Sequence, residues 1–410
     1  MLTSSGAATL DREFSLRAQI RAGRLPAVQI LRALAALSIV LGHALYEAQT
    51  FDRAGRYFLV LDADLWKMGV DLFFVLSGFI MMWTFGHRFG DPYAGREFLR
   101  RRLERIVPPY WIFTGLMVAA TLLFANRLGT AAFTPEHALL SLLFIPHLAP
   151  NGGIHPILSL GWTLIYEMFF YLSFALALSL ERRAGLAALT GLFVLVHGIA
   201  VYTDMLPEAL RLFWGDGVMF EFLLGVGFFL VLSNGRLAAT RLVLVLLFCL
   251  TASGAAYLSG MWGESRLYHF GLPALAVFAL FYWLLPEVEA RFWLFLVLVG
   301  EASYTLYLSH PFVLEIVEGA IALVPLPDAG HISLYVAASI ISATAFSLLF
   351  YSMLERQLTQ WLASRADRWA PKRPTGEANP PAAGSLSSSV RNPRGWRWPP
   401  GRWHRQGVRT

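Results

Sequence analysis

The sequence holds one cysteine in 410 residues, Cys249, inside the apolar run LVLVLLFCLTA. One thiol closes no disulfide and builds no cysteine metal site, which argues against a redox role. Charge is scarce as well: 15% of the residues are Asp, Glu, Lys or Arg, against roughly 25% in soluble domains. Three catalytic signatures are also missing. The chain has no Gly-rich phosphate loop of the nucleotide-hydrolase type, no HExxH metal helix and no Gly-x-Ser-x-Gly elbow. Nothing therefore points to ATP hydrolysis, zinc chemistry or a serine nucleophile.

Apolar residues fill the space, at 56% of the chain. Many runs reach the ~20 residues that span a bilayer core. Their pattern and flanks predict about ten spans, near 28–48, 68–86, 108–126, 159–180, 187–204, 212–232, 241–260, 267–285, 292–315 and 332–353. The stretch HALLSLLFIPHL, 137–148, is apolar but too short to cross and reads as interfacial or re-entrant. The first run has the basic lead-in of a signal peptide, but it is span-length and more spans follow, so it reads as retained. The expected fold class is an all-α membrane protein, a polytopic bundle of about ten transmembrane helices.

Basic residues set the expected orientation. Arg12, Arg17, Arg21 and Arg24 precede the first span, and Arg96, Arg100, Arg101, Arg102 and Arg105 lie between the second and third. Arg182 and Arg183 follow the fourth, and Arg236 and Arg241 lie between the sixth and seventh. The opposite loops are poorer, with Arg53, Arg56, Lys67, Arg127, Arg211 and Arg266. Both termini are therefore expected to be cytoplasmic, in the inner (plasma) membrane of a cell. The net charge of +6 flanks spans, so topology explains it better than nucleic acid does. Three segments result: a basic N-terminal segment 1–27, a membrane unit 28–355 and a basic cytoplasmic tail 356–410. From about residue 371 the tail is rich in Pro, Gly, Ser and Arg, with Glu377 its only acid, a composition that predicts disorder. Its end, RGWRWPPGRWHR, suits either adhesion to anionic headgroups or a dispensable extension.

Ionisable groups inside spans are costly, so they usually face a bundle interior or a watery cavity. In the first span, ILRALAALSIVLGHALY, Arg32 and His43 stand eleven residues apart, about three turns and roughly 16 Å of rise on one helix face. Arg32 reads either as functional or as a side chain snorkelling to the interface. His43 reads either as a packed histidine or as a proton-transfer group suited to neutral pH. Glu167, in LGWTLIYEMFFYLSF, sits roughly 12 Å deep in the fourth span, level with His43. The two are expected to pair, the acid fixing the ring tautomer, unless Glu167 serves packing alone.

Asp71, in MGVDLFFVLSGFIMMW, is placed near the outer interface as a channel residue or an N-terminal helix charge. Ser77-Gly78 permits close backbone approach and a channel lining. Arg100, Arg101, Arg102 and Arg105, in the loop reading REFLRRRLERIVPPYW, suit the phosphates of coenzyme A, although topology signalling also explains them. In LVLVGEASYTLYLSHPF, Ser303, Tyr307 and His310 share one face to within about 60°, as a cavity lining or an interfacial anchor.

Five segments in order resemble the membrane acyltransferase 3 family over about residues 28–355. They are LRALAALSIVLGH, GVDLFFVLSGF, FLRRRLERIVPPYW, WTLIYEMFFY and GEASYTLYLSHPF. WTLIYEMFFY resembles members associated with acetylating bacterial exopolysaccharides. The resemblance implies a ten-span bundle that moves an acyl group, by default acetyl, from acyl-CoA to a carbohydrate or lipid-linked saccharide hydroxyl, without a metal. It implies functional roles for Arg32, His43, Arg100–Arg102 and Glu167. Trp162, Tyr304, Tyr307 and His310 fall within its motifs as expected channel residues, with Asp71 and Ser77. Some relatives carry an appended periplasmic esterase-like domain; here any such partner is expected to be a separate protein, and polysaccharide-biosynthesis proteins are further expected partners. The expected mechanism docks acyl-CoA phosphates on the arginines and uses His43 as general base, with Glu167 orienting it. The competing expectation is a transporter or flippase for a sugar-lipid; no discontinuous helix is evident in the sequence to favour it.

Overall fold

Inside a bilayer the backbone has no partner but itself, so long uncharged runs must close their hydrogen bonds as helices. In the computed structural model of the chain the described residues are 25–52, 63–128, 134–233, 238–259, 265–284 and 293–369, and none of them is in a strand. The basic segment before residue 25 and the tail beyond residue 369 lie outside them. One compact unit ends at Ser364.

The helices follow in order: α1 Leu25–Glu47, α2 Ala63–Phe85, α3 Ala94–Leu128, α4 Pro135–Leu142, α5 Trp162–Ala177 and α6 Arg182–Tyr202. Next come α7 Glu208–Gly215, α8 Phe220–Ser233, α9 Ala238–Leu258, and α10 Leu272–Leu284, which is led in by a π-turn at Leu267–Gly271. The last are α11 Leu294–Glu301, α12 Ser303–Ile321 and α13 Asp328–Phe350. A second π-turn, Tyr351–Glu355, joins α13 to α14, Arg356–Trp369.

Among the described residues eight helical stretches are long and apolar enough to cross a membrane, and a ninth is counted if α7 and α8, bent by 47°, act as one. Within the expected span 292–315, Ala302 interrupts the helix and divides it into α11 and α12. The two pieces still run the length of α1: Gly300 packs on the Gln29 backbone, and Thr50 Oγ1 donates to Glu318 Oε1 at 3.0 Å. One correction concerns discontinuous helices: none is evident in the sequence, yet α7 and α8 are bent apart and Ala302 divides α11 from α12. Another concerns the expected arginine loop, which is helix from Ala94 onward and carries Pro108 and Pro109 inside it. Beyond the second π-turn the chain stays helical to Trp369.

Burial sorts the bundle. About two-thirds of the spanning windows of α2 and α5 is buried, 67% in each, against 22% for α6 and 17% for α9. The first pair is central, and the second presents Leu195, Leu244, Phe248 and Leu250 outward, the apolar surface a lipid tail would cover. The central contact is that of α2 with α8. A Cβ on Gly78 would overlap the Phe222 carbonyl, and one on Gly225 would overlap the Val75 carbonyl. Glycine on both sides lets the backbones touch, and that approach holds Ser77 beside the cavity described next.

Candidate active site

A cavity of about 280 Å³ opens among α1, α2, α3, α5 and α12. At one end it is lined by Gln29 and Arg32 of α1, Thr84 of α2, and Arg102 and Arg105 of α3. This is the end at which α1 begins and α2 finishes. Its middle carries Ser77, Glu167, Tyr171 and Ser303, and its far end Phe74, Thr163 and Tyr307.

Each polar group is held. Arg32 Nη2 donates to Ser303 Oγ at 2.8 Å and Nη1 to Gln29 Oε1 at 3.4 Å. The Glu167 Oε1 oxygen accepts from Ser77 Oγ at 3.2 Å and from the Tyr171 hydroxyl. The Arg102 guanidinium stands over the rings of Phe98 and Tyr171, at 5.6 and 5.8 Å. The Tyr304 hydroxyl donates to the Ile106 carbonyl at 2.7 Å. Tyr307 bonds the Leu160 carbonyl at 2.9 Å and lies 3.0 Å from the Thr163 hydroxyl. Glu355 closes the set: it is 3% exposed, accepts from Thr305 Oγ1, and feels the charges of Arg105 and Arg32. Three guanidiniums thus line the cavity with one carboxylate, Glu167, leaving an excess positive charge. Such a site favours an anion, and arginine forks favour phosphate oxygens.

The structure brings together Arg32, Arg102, Arg105, Ser77, Glu167, Tyr304 and Tyr307 of the expected residues. It sets others apart. Arg101 turns outward to Glu97 at 2.5 Å, and Arg100 lies 3.7 Å from Glu104; neither lines the cavity. Asp71 stands two turns inside α2 rather than at a helix end, because that helix begins at Ala63. It is fully buried and held by Arg266 in a forked pair of 2.8 and 3.0 Å. The Arg266 guanidinium in turn covers the Trp162 ring at 5.2 Å, and Trp162 packs on Phe74 outside the cavity lining.

The expected pairing of His43 with Glu167 takes a different form. The hydrogen bonds found for Glu167 go to Ser77 and Tyr171, while the His43 ring meets His310 edge-on, centroids 5.0 Å apart. His310 is fully buried, one turn past Tyr307, with its ring 6.1 Å from the tyrosine ring. The polar stripe of α12 therefore lines the cavity at Ser303 and Tyr307 and continues beyond its end to the histidine pair.

Sequence reasoning missed Glu355, Thr305 and Tyr171. Tyr171 carried a usable signal, four residues after Glu167 on one helix face. Glu355 stood at the edge of an apolar run, where a carboxylate reads as the start of solvent.

The fold and cavity define a multi-pass membrane protein with an arginine-lined internal site. The chain belongs to the membrane acyltransferase 3 family: the profile of its acyltransferase domain matches residues 25–352. It is thus an enzyme, a membrane O-acyltransferase. The exopolysaccharide production protein ExoZ of Rhizobium meliloti is 33% identical over 319 residues, 75% of this chain and 92% of that protein. YrhL of Bacillus subtilis, whose name assigns it provisionally to peptidoglycan O-acetylation, is 28% identical over 53% of this chain and 35% of its own length. The acyltransferase MdmB of Streptomyces mycarofaciens is 25% identical over 52% of this chain and 59% of its own length. A comparison with solved structures finds no match. Among the described residues no group of three or more His, Cys, Asp or Glu side chains is arranged to hold a metal ion.

Proposed function

We propose that the protein transfers an acyl group, acetyl by default, from acyl-CoA to a hydroxyl of an exopolysaccharide or its lipid-linked precursor, in the inner membrane. The observation that carries the reading is the convergence of Arg32, Arg102 and Arg105 on one cavity. In this reading the arginine end faces the cytoplasm, where the donor's phosphates meet the guanidiniums. The acceptor class is taken from what the name of ExoZ says of that relative.

His43 acts as general base. As the sugar oxygen attacks the thioester carbonyl, its proton passes to an imidazole nitrogen. The C–S bond then breaks, and the sulfur leaves with that proton as the coenzyme A thiol. No proton is consumed overall, and no protein thioester forms. General-base assistance is typically worth about 10²–10⁴-fold.

The test is the O-acyl content of surface polysaccharide from cells with the wild-type protein, with His43→Ala and with none. Loss of the ester signal in both altered strains, at unchanged polymer yield and protein level, is the expected result. Near-normal acylation by His43→Ala would overturn the role of His43. A second reading, export of a sugar-lipid, draws on the breaks at α7–α8 and α11–α12, a form that transporters use at their binding sites. It requires loss of the polymer itself.

A further inference from the structure

The cavity has a depth that can be set against the length of a donor. Thr84 and Val70 of α2 line its two ends. A rise of 1.5 Å per residue puts them about 21 Å apart. In coenzyme A, twelve bonds separate the last diphosphate oxygen from the sulfur. An extended chain advances about 1.2 Å per bond, so that arm reaches roughly 14 Å and an acetyl group adds about 2 Å. The diphosphate, four bonds long, takes about the 5 Å that remain. With its phosphates against Arg32, Arg102 and Arg105, an acetyl donor therefore ends at the far wall.

That wall is built not to yield. Phe74 is buried, its ring 4.8 Å from that of Phe222 and 6.3 Å from that of Tyr166. The Tyr307 hydroxyl is tied to the Leu160 carbonyl and stands 3.0 Å from the Thr163 hydroxyl. Beside Val70, a Cβ on Gly69 would overlap the Ala35 carbonyl, so α1 and α2 already touch there. On its other side Asp71 is forked to Arg266, which covers the Trp162 ring. Side chains packed this closely make room for another methylene only by being displaced.

We propose that Val70, Phe74 and Tyr307 set the length of the acyl group: the end they close accepts acetyl, disfavours butyryl and excludes hexanoyl. The proposal rests on the reading of the arginine end as the site of the donor's phosphates. Each methylene beyond acetyl lengthens the donor by about 1.2 Å against a fixed wall. One methylene too many or too few in an apolar pocket is typically worth about 10–200-fold.

The experiment uses the full chain in native membranes, which hold their own acceptor. It reads thiol release from acetyl-, butyryl- and hexanoyl-CoA above that of membranes lacking the protein. For the wild type, kcat/KM is expected to fall about tenfold or more from acetyl to butyryl, with hexanoyl at background. Val70→Ala and Phe74→Leu each shorten the wall, and each is expected to raise the butyryl-to-acetyl ratio of kcat/KM about fivefold or more. That ratio does not depend on how much protein folds. Leu72→Ala, in the same helix, buried and off the cavity lining, is expected to leave the ratio unchanged. Wild-type use of hexanoyl-CoA on a par with acetyl-CoA would overturn the proposal. So would an unchanged ratio in both wall variants, loss of all activity in both, or an equal shift in Leu72→Ala. If acetyl-CoA releases no thiol while the cells' polysaccharide is acylated, the donor reading itself fails and the length limit falls with it.

Discussion

Arg101 and Arg102 are chain neighbours with different surroundings. A helix turns about 100° per residue, so Arg101 is left half in solvent, paired with Glu97, while Arg102 enters the cavity over Tyr171. An exposed ion pair contributes about 0–1 kcal/mol, whereas a hydrogen bond to a charged group is worth about 1.5–3 kcal/mol. Arg102→Gln is therefore expected to raise KM for acetyl-CoA about tenfold or more, and Arg101→Gln less than twofold, in thiol-release assays on the same membranes. The sequence showed four arginines in a cluster but not their facing, because the stretch read as loop. Arg32, Glu167 and Tyr307 were legible, since a polar group in an apolar run has few places to go but inward. Glu355 and the Asp71–Arg266 pair were not. Each joins residues far apart in the chain, and only the packing of α2 against the turn before α10, or of the turn after α13 against α12, brings them together.

Among the elements, helix existence was largely legible and helix continuity was not. Apolar length predicts a span; the break at Ala302 and the bend between α7 and α8 arise from packing that periodicity does not encode. The reciprocal glycines of α2 and α8 make a direct forecast. Gly225→Leu drives a side chain into the Val75 carbonyl, and overpacking of this kind typically costs about 1–3 kcal/mol or more. A lower yield of monodisperse protein in detergent and a reduced Tm are expected, whereas Gly227→Leu, which meets nothing nearby, leaves both unchanged. The short α4 element yields a pH forecast. Burial holds the His137 imidazole below its ordinary pKa, partly opposed by its bond to the His155 carbonyl and assisted by the charges of His147 and His155. A histidine with a depressed folded pKa contributes stability that is complete above the unfolded value, about 6.5. That contribution is lost as pH falls from there toward the folded value. Thermal stability is expected to drop below about pH 6.5, and His137→Gln should flatten that dependence.

At the scale of the whole molecule, a forked ion pair ties α2 to the turn that enters α10. Removing one partner of a buried pair costs about 3–5 kcal/mol, whereas removing both for apolar residues is often neutral. Arg266→Met is expected to lower Tm sharply, as read by thermal unfolding in detergent, since it leaves Asp71 and the neighbouring buried Glu221 without their cation. The overall class, an all-helical membrane bundle, followed from composition and run length. The span count did not follow as cleanly, because one expected span is two helices laid end to end.

Pro108 and Pro109 lie in α3 just beyond the arginines. Proline has no amide proton, so the carbonyls of Glu104 and Arg105 lose their helical donors there. The turn bearing Arg102 and Arg105 is joined to the membrane-embedded part of α3 by a section with missing rungs, and the Tyr304 hydroxyl latches one carbonyl of it, that of Ile106. Mechanically this is a handle on a hinge. The arginine turn is thereby coupled to the embedded part of the helix less stiffly than an unbroken ladder of hydrogen bonds would couple it.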